Sequence, residues 1–261
     1  MSNNPQPSDL SERSIRLRRD DHEMPTFVVH PREGDGFSAI IVLMDMWGMR
    51  WVLYDIARSI ANAGYYCILP DLYYRWGEVR YAAQDIRDRP MSFTELEPER
   101  QVTLRNSMDS LSNQMVADDV ASLLDFMRDE PVKQGPVGLV GYCMGGRYAT
   151  YCAGSFPERI KAAACLHGAG LIDETDKSPH LMARHAQGEI YFGHAELDKY
   201  ALPDVTDRIE ASLAGCPVQF QQRIHAQTHH AYAMPDRDVY DAEATRQDWE
   251  AIFDMMHRQL G

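Results

Sequence analysis

Two kinds of apolar pattern alternate along the chain. Residues 38–44, 65–69, 137–140, 160–166 and 189–192 are short, largely apolar runs, and the more polar 218–224 also reads as a strand. Runs of this kind mark strands covered on both faces. Residues 51–63, 115–127, 146–153, 205–213 and a closing segment instead repeat their apolar positions at helical spacing. In the second of these, Val116, Val120, Leu123, Leu124 and Met127 fall on one helix face. In the closing segment Thr245, Trp249, Ile252, Phe253 and Met256 do the same. Gly64 stands where the first helix should end. Two further strands, at 14–17 and 26–30, precede a turn at 31–36. Buried strands alternating with amphipathic helices predict an α/β protein, with one mostly parallel, doubly wound sheet and helices on both faces.

Residues 1–12, rich in Ser, Asn and Pro, read as a disordered tail. Residues 13–261 read as a single domain, with no linker and no internal repeat. Residues 72–111 break the alternation. They hold Tyr73, Tyr74, Trp76, Tyr81 and Phe93 among Arg75, Arg80, Arg87, Arg89, Arg100 and Arg105, without clean periodicity. A long irregular insertion in a compact domain is usually functional, so a lid is expected here. The bland alternative is a decorated surface loop with one or two poor helices.

Composition narrows the partners. Of 261 residues, 44% are hydrophobic and 25% charged, which is ordinary for a globular protein. Lys and Arg number 26 against 39 Asp and Glu, a net charge of −13. That field repels nucleic acid and anionic membrane. The clearest apolar run, 39–44, is far short of a membrane span, and the polar first 21 residues lack the apolar region of a signal peptide. Five cysteines, Cys67, Cys143, Cys152, Cys165 and Cys216, suggest buried thiols in a reducing, cytoplasmic setting. No glycine-rich phosphate loop is present, and no cofactor is implied.

The strongest chemical signal is Gly141-Tyr142-Cys143-Met144-Gly145-Gly146, between a predicted strand and a predicted helix. Small residues on both sides permit a tight strand-to-helix turn that pushes the central side chain out at the carboxyl end of the sheet. The helix N-terminus behind it favours a thiolate and then an oxyanion. A thiol nucleophile needs a base and an orienting acid, in the chain order nucleophile, acid, histidine. Asp198, with Glu196 as a rival, follows the 189–192 strand, and His230 follows the 218–224 strand.

With these motifs the chain resembles the dienelactone hydrolase family of the α/β-hydrolase fold, from about residue 14 to the end. The Cys elbow, Asp45-Met46-Trp47-Gly48, Pro70-Asp71-Leu72-Tyr73 and His230-Ala231-Tyr232 carry the likeness. The resemblance implies a Cys143–His230–Asp198 triad and an oxyanion hole from the backbone N–H groups of Met46 and Met144. It places Asp45, where the family commonly has Glu, as a carboxylate that influences the thiol. Tyr73, Trp76 and Tyr232 become substrate or lid candidates. Family members acting on dienelactone carry Arg four residues after the catalytic His; here that position is Met234, with Arg237 out of register.

The expected reaction is hydrolysis of an activated small-molecule ester or lactone through an acyl-enzyme. Two other readings stand beside it. One is an inactive hydrolase fold that binds a small ligand. The other is a metal site at His225, His229 and His230, against which no acidic or Cys ligand stands locally.

Overall fold

A computed structural model describes residues 9–77, 92–201 and 203–261. Its frame is an eight-stranded sheet. The strands in chain order are β1 (Leu10–Arg19), β2 (His22–Pro31), β3 (Phe37–Leu43), β4 (Tyr66–Pro70), β5 (Val132–Tyr142), β6 (Ile160–Leu166), β7 (Glu189–Ala195) and β8 (Gln219–His225). In space they run β1-β2-β4-β3-β5-β6-β7-β8. The β1–β2 hairpin joins the sheet antiparallel through β4, and all later pairings are parallel. This is the α/β-hydrolase architecture, mostly parallel as the alternation predicts.

The helices are α1 (Trp51–Asn62), α2 (Pro98–Asp109), α3 (Asn113–Phe126), α4 (Met144–Ser155), the short α5 (Pro179–Met182), α6 (Val205–Leu213) and α7 (Ala242–Leu260). Two glycines of β5 show how the sheet is sandwiched. A side chain at Gly138 would strike Met256 of α7, and one at Gly141 would strike the backbone of α4 at Gly145. Residues three apart on a strand point to opposite faces, so α7 and α4 cover opposite sides. The central strands are correspondingly apolar: Ile40, Ile41, Val42 and Leu43 of β3 are fully buried. Each such side chain contributes about 1.5–3 kcal/mol on burial.

One expectation needs correction. Residues 10–12 do not belong to a tail, because β1 starts at a buried Leu10 that pairs with Pro31; residues 1–8 lie outside the described residues. The 72–111 stretch holds a regular helix, α2. It buries only Leu104, so it shows no periodicity, although Pro98 at its start and Glu99 in its first turn are helix-opening residues. Arg75 anchors the start of this stretch, gripping the fully buried Asp119 of α3 at 2.7 and 2.9 Å. Tyr81, Arg80, Arg87 and Arg89 lie outside the described residues. No helix among the described residues is long and apolar enough to cross a membrane.

Candidate active site

Cys143 sits between β5 and α4 with φ +56°, a left-handed conformation that non-glycine residues rarely adopt. The flanking sequence makes it possible. A Cβ at Gly141 would lie 2.0 Å from the Gly145 carbonyl oxygen, and one at Gly145 would lie 2.3 Å from that of Leu43. Only glycine lets elbow, helix and β3 approach this closely. The Cys143 N–H donates to the Leu166 carbonyl at 3.0 Å, tying the elbow to β6. α4 begins at Met144, two residues earlier than the periodicity predicts. Cys143 therefore occupies the N-cap position, with no capping bond from its side chain, and the Met144 N–H belongs to the first turn, where intrahelical partners are absent.

The His230 side chain shares a cavity wall with Cys143 on one side and, through Nδ1, hydrogen-bonds Asp198 Oδ2 at 2.8 Å on the other. Asp198 Oδ1 accepts the Tyr200 N–H at 2.8 Å, so the carboxylate is clamped at both oxygens. Its rival Glu196 is exposed and accepts instead from the Gln227 N–H at 2.8 Å. Burial opposes charge on His230, but Cys143 and Asp198 outweigh it and hold its pKa up at about 10.

Met46 and Met144 are bridged from below. Tyr73 donates its hydroxyl to the Met46 carbonyl at 2.9 Å and touches the Met144 sulfur at 3.7 Å. Tyr73 is fully buried, so it braces these two residues and does not meet substrate. Asp45 is likewise engaged elsewhere. Its oxygens accept from Arg50 at 2.6 and 2.9 Å, and one also accepts the Trp47 N–H at 3.1 Å. Arg50 reaches on to Asp236 at 2.5 Å, and all three side chains are buried. Burial works against the Arg50 charge, yet Asp45 and Asp236 raise its pKa above the ordinary value. The Asp45 carboxylate thus serves a buried ion triad that holds the Met46 turn to the loop after His230.

Cys143 and His230 open into a cavity of about 370 Å³. Met46, Trp47, Phe93, Met108, Arg105 and Arg237 build most of its remaining wall. Neither Trp76, which is 43% exposed, nor Tyr232, which is fully buried, lines it. Tyr232 instead donates to Asp248 Oδ2 at 2.6 Å. The position four after His230, Met234, is fully buried. Arg237, out of register in the sequence, nevertheless reaches the cavity, stacked over Trp47 at 4.5 Å. Burial pulls its pKa below the ordinary arginine value.

Two residues beneath the site carry no signal in the motifs. His167, left-handed at φ +38° and fully buried, packs its ring edge-to-face against His230 at 5.1 Å. Burial, reinforced by the His230 charge, holds His167 well below the usual histidine pKa, so its ring is neutral. Asp248 of α7 accepts from Tyr191 and His225, each at 2.6 Å, as well as from Tyr232. His225 therefore points inward, whereas His229 is exposed.

The family model of the dienelactone hydrolases matches residues 24–260, and the chain belongs to that family. It is 24% identical over 260 residues to a Synechocystis protein named "Putative carboxymethylenebutenolidase", covering 97% of this chain and 98% of that one. A dienelactone hydrolase-like promiscuous phosphotriesterase from metagenomic libraries superposes with a TM-score of 0.77 at 16% identity, over 97% of this chain and all of the other. The dienelactone hydrolase of Anabaena variabilis gives a TM-score of 0.65 at 16% identity, with 97% and 100% covered. At these identities the structural likenesses show the α/β-hydrolase fold.

Proposed function

We propose that this protein hydrolyses carboxylic esters or lactones through a Cys143–His230–Asp198 triad and an acyl-enzyme. The placing of Cys143 and His230 at the wall of one cavity, with Asp198 hydrogen-bonded behind His230 at 2.8 Å, carries this reading. The Cys143 thiolate attacks the substrate carbonyl carbon, forming a C–S bond and an oxyanion. The N–H groups of Met46 and Met144 receive that oxyanion, a device worth about 3–4 kcal/mol per donor. His230 gives its proton to the leaving oxygen as the C–O bond breaks. It then takes a proton from water, which attacks the thioester, releases the acid and restores the thiolate.

The described residues 92–109 act in this reading as part of a cover over the site, contributing Phe93, Arg105 and Met108 to the wall. Arg105 and Arg237 suit an acyl group with an anionic or strongly polar end. Initial rates on short-chain esters, thioesters and dienelactone test the proposal. The wild type is expected to turn over at least one of them and Cys143→Ala none. Undiminished turnover by the variant would contradict the reading.

A further inference from the structure

His230 is shared between two cavities. The one that holds Cys143 also holds Met46 and Met108. A second, of about 270 Å³, also has His230 in its wall and includes neither Cys143 nor Met46. Leu197, Lys199, His229, Thr94 and Val239 line it, and the two cavities have Phe93, Tyr200, His230 and Arg237 in common. Tyr200, one of the four shared residues, packs edge-to-face on His230 at 4.9 Å and is 50% exposed.

Resting on the triad reading above, we propose that the second cavity is a leaving-group subsite, and that the protein acts on open-chain esters whose alcohol is large enough to fill it. The chemistry assigns the sides. The carbonyl oxygen must face Met46 and Met144, so the acyl chain lies in the Cys143 cavity. The leaving oxygen must face His230, which protonates it, so whatever that oxygen carries extends past His230. When the C–O bond breaks, the proton passes from His230 to the leaving oxygen and the free alcohol departs through the second cavity. The acyl group stays on sulfur until water replaces it. In a small lactone the leaving oxygen remains tethered to the acyl chain, and a separate compartment beyond His230 stays unused. The lining sets the alcohol's character: Leu197 and Val239 offer apolar surface, while Lys199, His229 and Thr94 offer polar contacts to its outer end.

The test measures kcat/KM on two ester series. One fixes the acyl group and lengthens a primary alcohol of constant basicity. The other fixes the alcohol and lengthens the acyl chain. The wild type is expected to favour longer alcohols over methyl. Val239→Trp should lower the long-alcohol to methyl ratio about tenfold, the discrimination a few methylenes supply in an apolar pocket. Thr94→Trp, at an exposed position, should shift the same ratio in the same direction. Met108→Trp in the Cys143 cavity should shift the acyl series instead. A wild type indifferent to alcohol length, or outer-cavity variants that move only the acyl series, would overturn the subsite while leaving the triad reading intact. Absence of hydrolysis across both series, with Cys143→Ala indistinguishable from wild type, would overturn the triad reading and the subsite with it.

Discussion

Among the described residues, two His–Asp pairs have histidines five residues apart in sequence and opposite surroundings. His230 meets Asp198 at 2.8 Å and His225 meets Asp248 at 2.6 Å. Asp198 has one further partner, the backbone N–H of Tyr200, and its histidine turns the other side of its ring to a thiol at a cavity wall. Asp248 has Tyr191 and Tyr232 as further partners, and burial followed by the Asp248 charge raises both phenols so that they remain donors. Its histidine ends against Tyr232 at 5.0 Å. The pair itself is therefore not the catalytic signature. What faces the rest of the ring differs: a thiol beside a cavity in one case, closed packing in the other. The closed cluster has a use of its own, because Tyr232 lies two residues from His230 and ties that loop to α7.

Breaking the open pair should have the largest effect. Cys143→Ala is expected to lower ester kcat by at least about 10⁴-fold, since removing a nucleophile forfeits nearly all of a triad's contribution. Asp198→Asn should cost up to about 10⁴-fold in kcat by releasing the imidazole from its oriented, charge-stabilised state. The same variants separate the causes of the raised His230 pKa. In an NMR titration, Cys143→Ala should bring His230 down from about 10 further than Asp198→Asn does, because the thiolate is the largest group raising it. A pKa raised on folding contributes stability in full below the unfolded value of 6.5 and loses it as the pH climbs through about 10. Breaking the closed pair should act on stability instead. Asp248→Leu orphans three buried donors, at about 1–3 kcal/mol for each one left unsatisfied, read by denaturant unfolding. The smallest effect is expected from Tyr73→Phe. It removes one hydrogen bond behind Met46, about 1 kcal/mol, and should lower kcat about fivefold with little change in KM.

The elbow was legible in the sequence because its glycines are sterically compelled. Backbone atoms within 2.0–2.3 Å of a would-be Cβ leave no other residue possible at Gly141 or Gly145. The central strands were legible because β3 and β4 are covered on both faces. α2 was not, since a helix with one buried side chain has no apolar period to read. Arg237 was missed for a local reason. Successive turns, in which the Met234 N–H bonds Ala231 and the Arg237 N–H bonds Met234, coil the chain after His230 and bring Arg237 back to the cavity. Residue spacing assumed for an extended loop does not reveal that. Asp248 was hidden because its partners come from β7, β8 and the loop carrying Tyr232, and only the fold assembles them. Asp45 was visible as a motif residue, but its function depended on Asp236, nearly two hundred residues away, reached through Arg50.

The central claim is that Cys143 carries the acyl group. Rapid mixing of the protein with an activated ester, acid quench and mass analysis of the peptide containing residue 143 tests it directly. The account predicts a peptide heavier by the acyl group that appears within the first turnover, decays with the hydrolysis rate and is absent from Cys143→Ala. Full ester turnover with no acyl mass on that peptide, and with Cys143→Ala as active as the wild type, would contradict it.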